Sequence, residues 1–328
     1  MNVRLLTETQ IRGLLDFGET IAAVEKSLAD FSSGKILQPP VVHLDLPFFQ
    51  GEVHVKSAHV RGEEFFVIKV ASGFYANPSR GLPVGNGLML VFEAETGRPL
   101  ALLFDNGLIT EMRTGAAGAV AARHLARSSV PIVGLVGAGT QARFQLRALM
   151  EVRSPREIRV WSRDPSRTRS FIEDMKPLFA VDFRAVSSPA EAAGGADLIV
   201  TATPSRVPLL KRSWLSPGVH ITAVGSDGPE KCELDPDILA GADLLYCDSI
   251  AQCSLFGETH RALEKKAIAS SKISGELGEI ILGAKPGRFD AGQITVADLT
   301  GLGAEDAAAA AVVYRKALSS DLGVFIEI

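Results

Sequence analysis

Cysteine is scarce: Cys232, Cys247 and Cys253 are the only three in 328 residues, an odd number without the paired Cys-x-x-Cys spacing of a structural zinc site. A disulfide framework is therefore not expected, and a reducing, cytoplasmic compartment fits. Long apolar runs are also missing. No window holds the roughly 18 uncharged apolar residues of a membrane span, and the opening MNVRLLTETQIRGLLDF lacks the basic run and apolar stretch of a secretory leader. Nor is there an excess of positive charge. With 34 Lys+Arg against 38 Asp+Glu, the formal net charge is -4, which gives no general field to hold a phosphate backbone or an anionic membrane. Neither nucleic acid nor membrane is an expected partner. What the chain does have is enough length for two domains at roughly 150 residues each. Its 46% hydrophobic content supplies the apolar surface that offsets the ordering entropy of a compact fold.

The residue pattern changes along the chain. Thr7 opens a cap-like Thr-Glu-Thr-Gln, and Ile11, Leu14, Leu15, then Ile21, Val24 and Leu28 recur at helical spacing, with Gly18 dividing the helical stretch in two. After Pro39 and Pro40 the period becomes two in VVHLDLP, EVHVKSAHV, EFFVIKVASGF, GLMLVFEAE and PLALLFD, which predicts a mainly antiparallel sheet. Residues 110–127, TEMRTGAAGAVAARHLAR, form an Ala-rich stretch suited to a long helix that contains a domain boundary, despite its two glycines. From Val130 onward VPIVGLVG, EIRVWSR, VDFRAV, ADLIVTAT, VHITAVG, ADLLYCD and QITVADL alternate with helical stretches, as in a parallel sheet covered on both faces. AEDAAAAAVVYRKALSSDL is again helical. The fold class expected is α/β: a doubly wound parallel sheet plus an α+β domain built on the mainly antiparallel sheet.

Gly137-Ala138-Gly139-Thr140-Gln141-Ala142 follows the apolar strand 130–136 and opens a helix carrying Phe144, Leu146 and Leu149. In that context Gly137 permits the tight turn, Gly139 lets a pyrophosphate approach the backbone, and Ala142 allows close helix packing. The helix N-terminus supplies N–H groups and partial positive charge to the phosphates. This marks a dinucleotide site; its bland rival is an ordinary glycine-rich strand-to-helix turn. At the end of the next strand, Trp161-Ser162-Arg163-Asp164 with Arg167 stands where an NAD site usually carries an acid. A hydroxyl and guanidinium groups suit a 2'-phosphate, so NADP(H) is favoured and NAD(H) stays possible, with Asp164 then taking the ribose. Thr203, after DLIVTAT, is a candidate for the nicotinamide pocket, and Thr300 is a further cofactor candidate.

Several segments together resemble the ornithine cyclodeaminase and mu-crystallin family: IKVASGF, LPVGNGLMLVFEAETGRPLALL, LITEMRTGAAGAVAARHLA, LVGAGTQAR, VWSRD, DLIVTATPSR, GVHITAVGSDGPEKCELD, ELGEI and ITVADLTGLGAEDAAAA. The resemblance runs in order over nearly the whole chain. It implies a substrate and dimerisation domain of residues 1–118 joined by a C-terminal helix 305–328, around a Rossmann domain of residues 119–304, and a homodimer formed through the antiparallel sheets. Members cyclise ornithine with loss of ammonia, reduce cyclic imines, or interconvert 2-oxo acids and amino acids. Carried over by motif, Lys69 lies beside the substrate, Arg113 clamps its carboxylate, and Asp227 exchanges a proton with the reacting nitrogen. VHVKSAH, SGFYANP and DNGLITEMRT look similar to the ketimine reductase branch. The expected reaction is therefore NAD(P)H-dependent reduction of pyrroline-2-carboxylate or piperideine-2-carboxylate, with a cyclodeaminase-type lyase or an amino-acid dehydrogenase as alternatives. His43 stands where cyclodeaminases place a second Arg, and Lys56 where many members have Met-Pro; both departures count against the ornithine reaction.

The chemistry of the residue types agrees with these roles. Arg's planar fork matches a carboxylate, and an acid following a parallel strand is placed to relay a proton to an imine nitrogen. Lys69 and Lys56 on neighbouring strands make a pocket electropositive. Each has a plainer reading: Lys69 snorkelling to solvent, Arg113 pairing with Glu111 or Asp105 at the surface, Asp227 serving only a turn. His54 and His59 point to opposite faces of one strand by parity, so no metal site is expected, and His43 is at most a substrate contact.

Overall fold

The computed structural model describes residues 2–327. In chain order its elements are β1 (Asn2–Thr7), α1 (Glu8–Leu14), α2 (Phe17–Ser32), β2 (Ile36–Leu37), β3 (Val42–Leu46), β4 (Gly51–Val60), β5 (Phe65–Phe74), β6 (Gly85–Glu93), β7 (Pro99–Phe104) and α3 (Leu108–Leu125). There follow β8 (Ile132–Val136), α4 (Thr140–Met150), β9 (Glu157–Trp161), α5 (Pro165–Met175), β10 (Asp182–Ala185), α6 (Pro189–Ala193), β11 (Leu198–Thr201), β12 (His220–Ala223), α7 (Pro236–Gly241), β13 (Leu244–Cys247), α8 (Ile250–Cys253) and α9 (Gly257–Glu264). The chain ends with β14 (Gly275–Glu276), α10 (Leu277–Ile281), β15 (Thr295–Asp298), α11 (Gly303–Ser319) and β16 (Val324–Glu327). Two compact units result, Met1–Arg113 with Leu302–Ile328, and Thr114–Gly301. Among the described residues no helix is long and apolar enough to cross a membrane.

The first unit is a mixed sheet ordered β16-β1-β7-β6-β5-β4-β2, with β3 paired to β4. All its pairings are antiparallel except β1 with β7. Period-two alternation sorts its side chains. Ala58, Val67, Met89, Val91, Ala101 and Leu103 share the inner face and are buried, with α11 packed over β4 and β5 and against α2. Each large apolar side chain so buried contributes about 1.5–3 kcal/mol. On the opposite face Val42 and Leu44 remain 62% and 54% exposed.

Two local expectations change. The break in the N-terminal helical stretch falls at Leu15–Asp16 rather than at Gly18, because Asp16 caps α2 by accepting the Glu19 N–H at 2.9 Å. The stretch 305–328 is helical only to Ser319. Asp321 and Gly323 take positive φ of 49° and 119°, and the apolar, β-favouring Val324-Phe325-Ile326 then pairs as β16 with β1.

The second unit is a parallel sheet ordered β10-β9-β8-β11-β12-β15-β13-β14. Its chain order reverses between β8 and β11, the switch point at which doubly wound sheets open a crevice beyond their strand ends. β11, β12, β13 and β15 are buried along their whole length, as strands covered on both faces must be. The glycines of α3 are contact residues. A Cβ on Gly115 would stand 2.7 Å from the Phe144 carbonyl oxygen, and one on Gly118 would overlap the Gln145 side chain, so α3 and α4 cross closely only because both are glycine. Gly134 in β8 does the same for α6, since its Cβ would meet the Ala192 carbonyl carbon at 3.0 Å and its oxygen closer still. Gly134→Ala is expected to lower stability by about 1–3 kcal/mol through overpacking, read as a lower urea midpoint; an unchanged midpoint would contradict this close approach.

Candidate active site

The turn after β8 is built on Gly137. Its φ is +122°, its N–H donates to the Trp161 carbonyl at 2.8 Å, and a Cβ there would stand 2.5 Å from the Ala202 carbonyl oxygen. Only glycine fits, and the turn is knitted to the ends of β9 and β11. Gly139 is the N-cap of α4 without a side-chain cap bond, and a Cβ on it would meet nothing within 4 Å. Gly139 and Thr140 are exposed, whereas Ala138 and Ala142 are buried. An open glycine cap at the head of an 11-residue helix fits an anionic diphosphate, because amide groups and the helix dipole converge there. Arg143 braces the turn by donating to the Ala138 and Gly139 carbonyls at 2.7 and 3.2 Å while bonding Asp174. Gln141 accepts from Gln145 Nε2 at 3.1 Å.

At the end of β9, Ser162 Oγ donates to the Asp164 carbonyl at 2.7 Å and shares a hydrogen bond with Thr168. Asp164 is the N-cap of α5, and its Oδ1 accepts from both the Ser166 N–H and hydroxyl. These bonds hold its carboxyl below the usual range. Arg163 and Arg167 are exposed on either side.

Beyond the other strand ends lies a group of buried acids. Glu233 Oε1 accepts from the Thr203 N–H and hydroxyl, both at 2.7 Å, and its Oε2 accepts from the Gly225 N–H at 2.9 Å. One carboxylate thus ties together the loops that follow β11 and β12. Glu258 accepts from the Glu233 and Leu234 N–H groups at 2.7 and 3.0 Å, and Asp298 in turn from those of Glu258 and Thr259 at 3.2 and 2.8 Å. Burial pushes all three carboxyls up to about 7. Asp248 holds Thr300 through its N–H at 2.8 Å and its hydroxyl at 3.1 Å. Asp227, two residues past Gly225, is ion-paired with Lys231 at 2.5 Å, and its side chain is 45% exposed. His220 is a buried structural residue between Thr295 and Thr222, its ring held neutral by burial.

In the first unit the strand register sets Lys56 directly opposite Lys69, and both are buried. Lys69 Nζ lies 2.7 Å from Asp306 Oδ2. Arg113 is buried rather than at the surface: its Nε is 2.7 Å from Asp306 Oδ1 and its Nη1 donates to Glu305 Oε2 at 2.9 Å. Desolvation pushes the Lys69 ammonium down to about 7, aided by the Arg113 and Lys56 charges and opposed by Asp306. The cations keep the Asp306 carboxyl below its usual range despite burial. Asp105, which caps the start of α3 by accepting the Ile109 N–H at 2.8 Å, is pushed up by burial.

The structure therefore gathers Lys56, Lys69 and Arg113 in one unit, and places Asp227, the glycine loop, Thr203 and Thr300 along the strand ends of the other. His43 lies opposite His54 on the edge strand β3, and His54 stands two residues before Lys56 on the same face of β4. Glu305, Asp306 and Glu233 were not among the expected residues. In the sequence the first two are simply acids in the first turn of an Ala-rich helix, which dipole preference alone explains. Glu233 lies in an irregular loop without any spacing signal.

The profile of the ornithine cyclodeaminase/mu-crystallin family matches residues 1–321. The chain is 37% identical over 326 residues to an alanine dehydrogenase of Archaeoglobus fulgidus, covering 98% of each chain. Among solved structures, an archaeal alanine dehydrogenase dimer with bound NAD matches with a TM-score of 0.93 at 35% identity over 100% of both chains. The Thermococcus litoralis Δ1-pyrroline-2-carboxylate reductase, in complex with NADH and L-proline, matches with a TM-score of 0.94 at 32% identity, covering 98% of this chain and 99% of that one. Ketimine reductases, cyclodeaminases and alanine dehydrogenases all stand among the relatives. Together with the glycine turn and the doubly wound sheet, these likenesses show that the chain belongs to the ornithine cyclodeaminase/mu-crystallin family of nicotinamide-dependent enzymes.

Proposed function

We propose that the protein reduces a cyclic ketimine bearing a carboxylate, pyrroline-2-carboxylate or piperideine-2-carboxylate, to the cyclic L-amino acid. The observation that carries this reading is the buried cluster in which three cations, Lys56, Lys69 and Arg113, surround the two acids Glu305 and Asp306. Such a cluster is suited to an anionic ligand, and a guanidinium fork matches a carboxylate in geometry. When bound, the nicotinamide supplies the hydride that adds to the imine carbon. The nitrogen must be protonated for that addition, a task we assign to Asp227, with Lys69 as a second proton donor and Arg113 as the carboxylate clamp. The likeness to the Thermococcus reductase supports the choice of reaction. The identity to an alanine dehydrogenase supports a second reading, reductive amination of an acyclic 2-oxo acid.

NADP(H) is the coenzyme this reading favours. Asp164 is occupied in capping α5, while Arg163 and Arg167 are exposed at the edge where a 2'-phosphate would lie. A homodimer formed through the outer face of the mixed sheet, where Val42 and Leu44 are exposed, accompanies the proposal.

Absorbance at 340 nm with NADPH and then NADH, against cyclic imines, 2-oxo acids with ammonia, and ornithine, separates the readings. Stoichiometric NADPH oxidation by a cyclic imine is expected. Ammonia released from ornithine without net absorbance change, or faster oxidation with a 2-oxo acid, would replace it. Lys69→Met should lower kcat/KM about 10²–10⁴-fold and leave NADPH binding unchanged, since Asp306 keeps Arg113 as its partner.

The pH profile follows from the depressed Lys69 value. A donor must carry its proton, so the rate should fall as pH rises through about 7. Asp306→Asn removes the anion that favours the ammonium, and should move this falling limb to lower pH. A limb displaced upward would count against Lys69 as donor. Arg163→Asp should shift preference toward NADH, measured as the ratio of kcat/KM for the two coenzymes; an unchanged ratio would remove the 2'-phosphate argument.

A further inference from the structure

The antiparallel register of β3 and β4 places His43 directly across from His54, and Glu52 lies two residues before His54 on β4. Residues directly opposite share a face, as do residues two apart on one strand, so the three side chains project from one patch of sheet. His43 Nδ1 or Nε2, His54 Nδ1 or Nε2 and a Glu52 carboxylate oxygen come within 4.8 Å of one another. The two imidazoles meet edge to face with centroids 4.5 Å apart. His54 Nε2 is buried without a hydrogen-bond partner and faces Glu52 Oε2 at 3.7 Å. The other Glu52 oxygen accepts from the Tyr75 hydroxyl at 2.6 Å, which fixes the carboxylate's orientation.

We propose that His43, Glu52 and His54 form a site for a divalent transition-metal ion of the zinc type. Two imidazole nitrogens and a carboxylate oxygen are a donor set that zinc takes, at about 2.0–2.2 Å each, leaving a fourth position for water or a ligand oxygen. Ligands at those lengths around a tetrahedral ion sit roughly 3.4 Å apart, so small side-chain rotations from the present arrangement complete the sphere. The tyrosine-held carboxylate is the outer-shell support such sites use. An ion between His54 Nε2 and Glu52 Oε2 also supplies the partner that the buried nitrogen lacks. His59 lies on the opposite face, five residues along the strand, with Nε2 bonded to the Glu63 carbonyl at 3.0 Å, and takes no part. Cys247, Cys253 and Asp298 also converge, but both Asp298 oxygens are already taken up by the Glu258 and Thr259 N–H groups. The proposal rests on sheet register, the convergence of the three donor groups and the unpartnered His54 nitrogen, and not on which substrate is reduced.

The test is calorimetric titration of zinc chloride into tag-free full-length protein previously stripped with a chelator. One equivalent should bind saturably, with unchanged affinity in His59→Ala. Tyr75→Phe should weaken binding roughly 10-fold, the usual effect of losing an outer-shell partner, and His54→Ala or Glu52→Gln by more. If His54→Ala melts early, His43→Ala on the exposed edge strand gives the same reading in a folded protein, checked by far-UV circular dichroism. Absence of saturable binding, or binding of undiminished affinity in His43→Ala, overturns the proposal.

Discussion

The first unit depends on a set of charges that has no water to fall back on. Lys69, Arg113, Glu305 and Asp306 are all nearly inaccessible, and each ion withdrawn from solvent costs several kcal/mol unless its partners return that energy. They do so only if the head of α11 is held in place. Gly303 allows this by approaching β4 so closely that a Cβ would stand 2.8 Å from the Ser57 carbonyl oxygen, while the Ala304 N–H donates to Gln38 Oε1 at 2.8 Å. A small residue and a side-chain amide thus fix the position of two acids, and the acids fix the direction of two cations. Removal of one partner strands another ion, at a cost of about 3–5 kcal/mol. The same geometry that stabilises the unit therefore keeps the cations preorganised.

The second unit handles buried charge in another way. Glu233, Glu258 and Asp298 meet backbone N–H groups and hydroxyls. Amide donors stabilise a carboxylate only in part, which is why desolvation still pushes these groups upward. What they provide is order: each carboxylate bonds two or more points of irregular chain, so loops at the strand ends become fixed without regular secondary structure.

Much of this was legible in the residues. Period-two runs marked β3 to β7, alternation of apolar strands and helices marked the parallel sheet, and Gly137 with Gly139 after an apolar strand marked the tight turn that opens α4, because each is a local pattern with a local cause. Lys69 and Arg113 were reached through motif likeness, yet their partners were not, since an ion pair between residues 113 and 305 leaves no periodic trace. Parity correctly separated His54 from His59. It said nothing of His43, whose place opposite His54 depends on which residues of β3 and β4 face each other. That register is set by the single 3-10 turn at Pro47–Phe49 and the left-handed Gln50, and a turn of that kind carries only a weak sequence signal. β1 and β16 were missed for a similar reason, each being a short terminal strand that acquires its meaning only from its partner.

The chain order of the first unit bears on how the molecule is made. Its sheet needs β16 beside β1, and its cations need the acids of α11, yet 188 residues of the parallel-sheet unit, Thr114–Gly301, intervene. During vectorial synthesis the parallel-sheet unit has all its strands once residue 301 has emerged, and it can settle as a separate cooperative body. The N-terminal part of the first unit must wait, with Lys69 and Arg113 solvated and the inner face of its sheet uncovered, until α11 and β16 have emerged. Closure of that long loop is the late and entropically expensive event of folding.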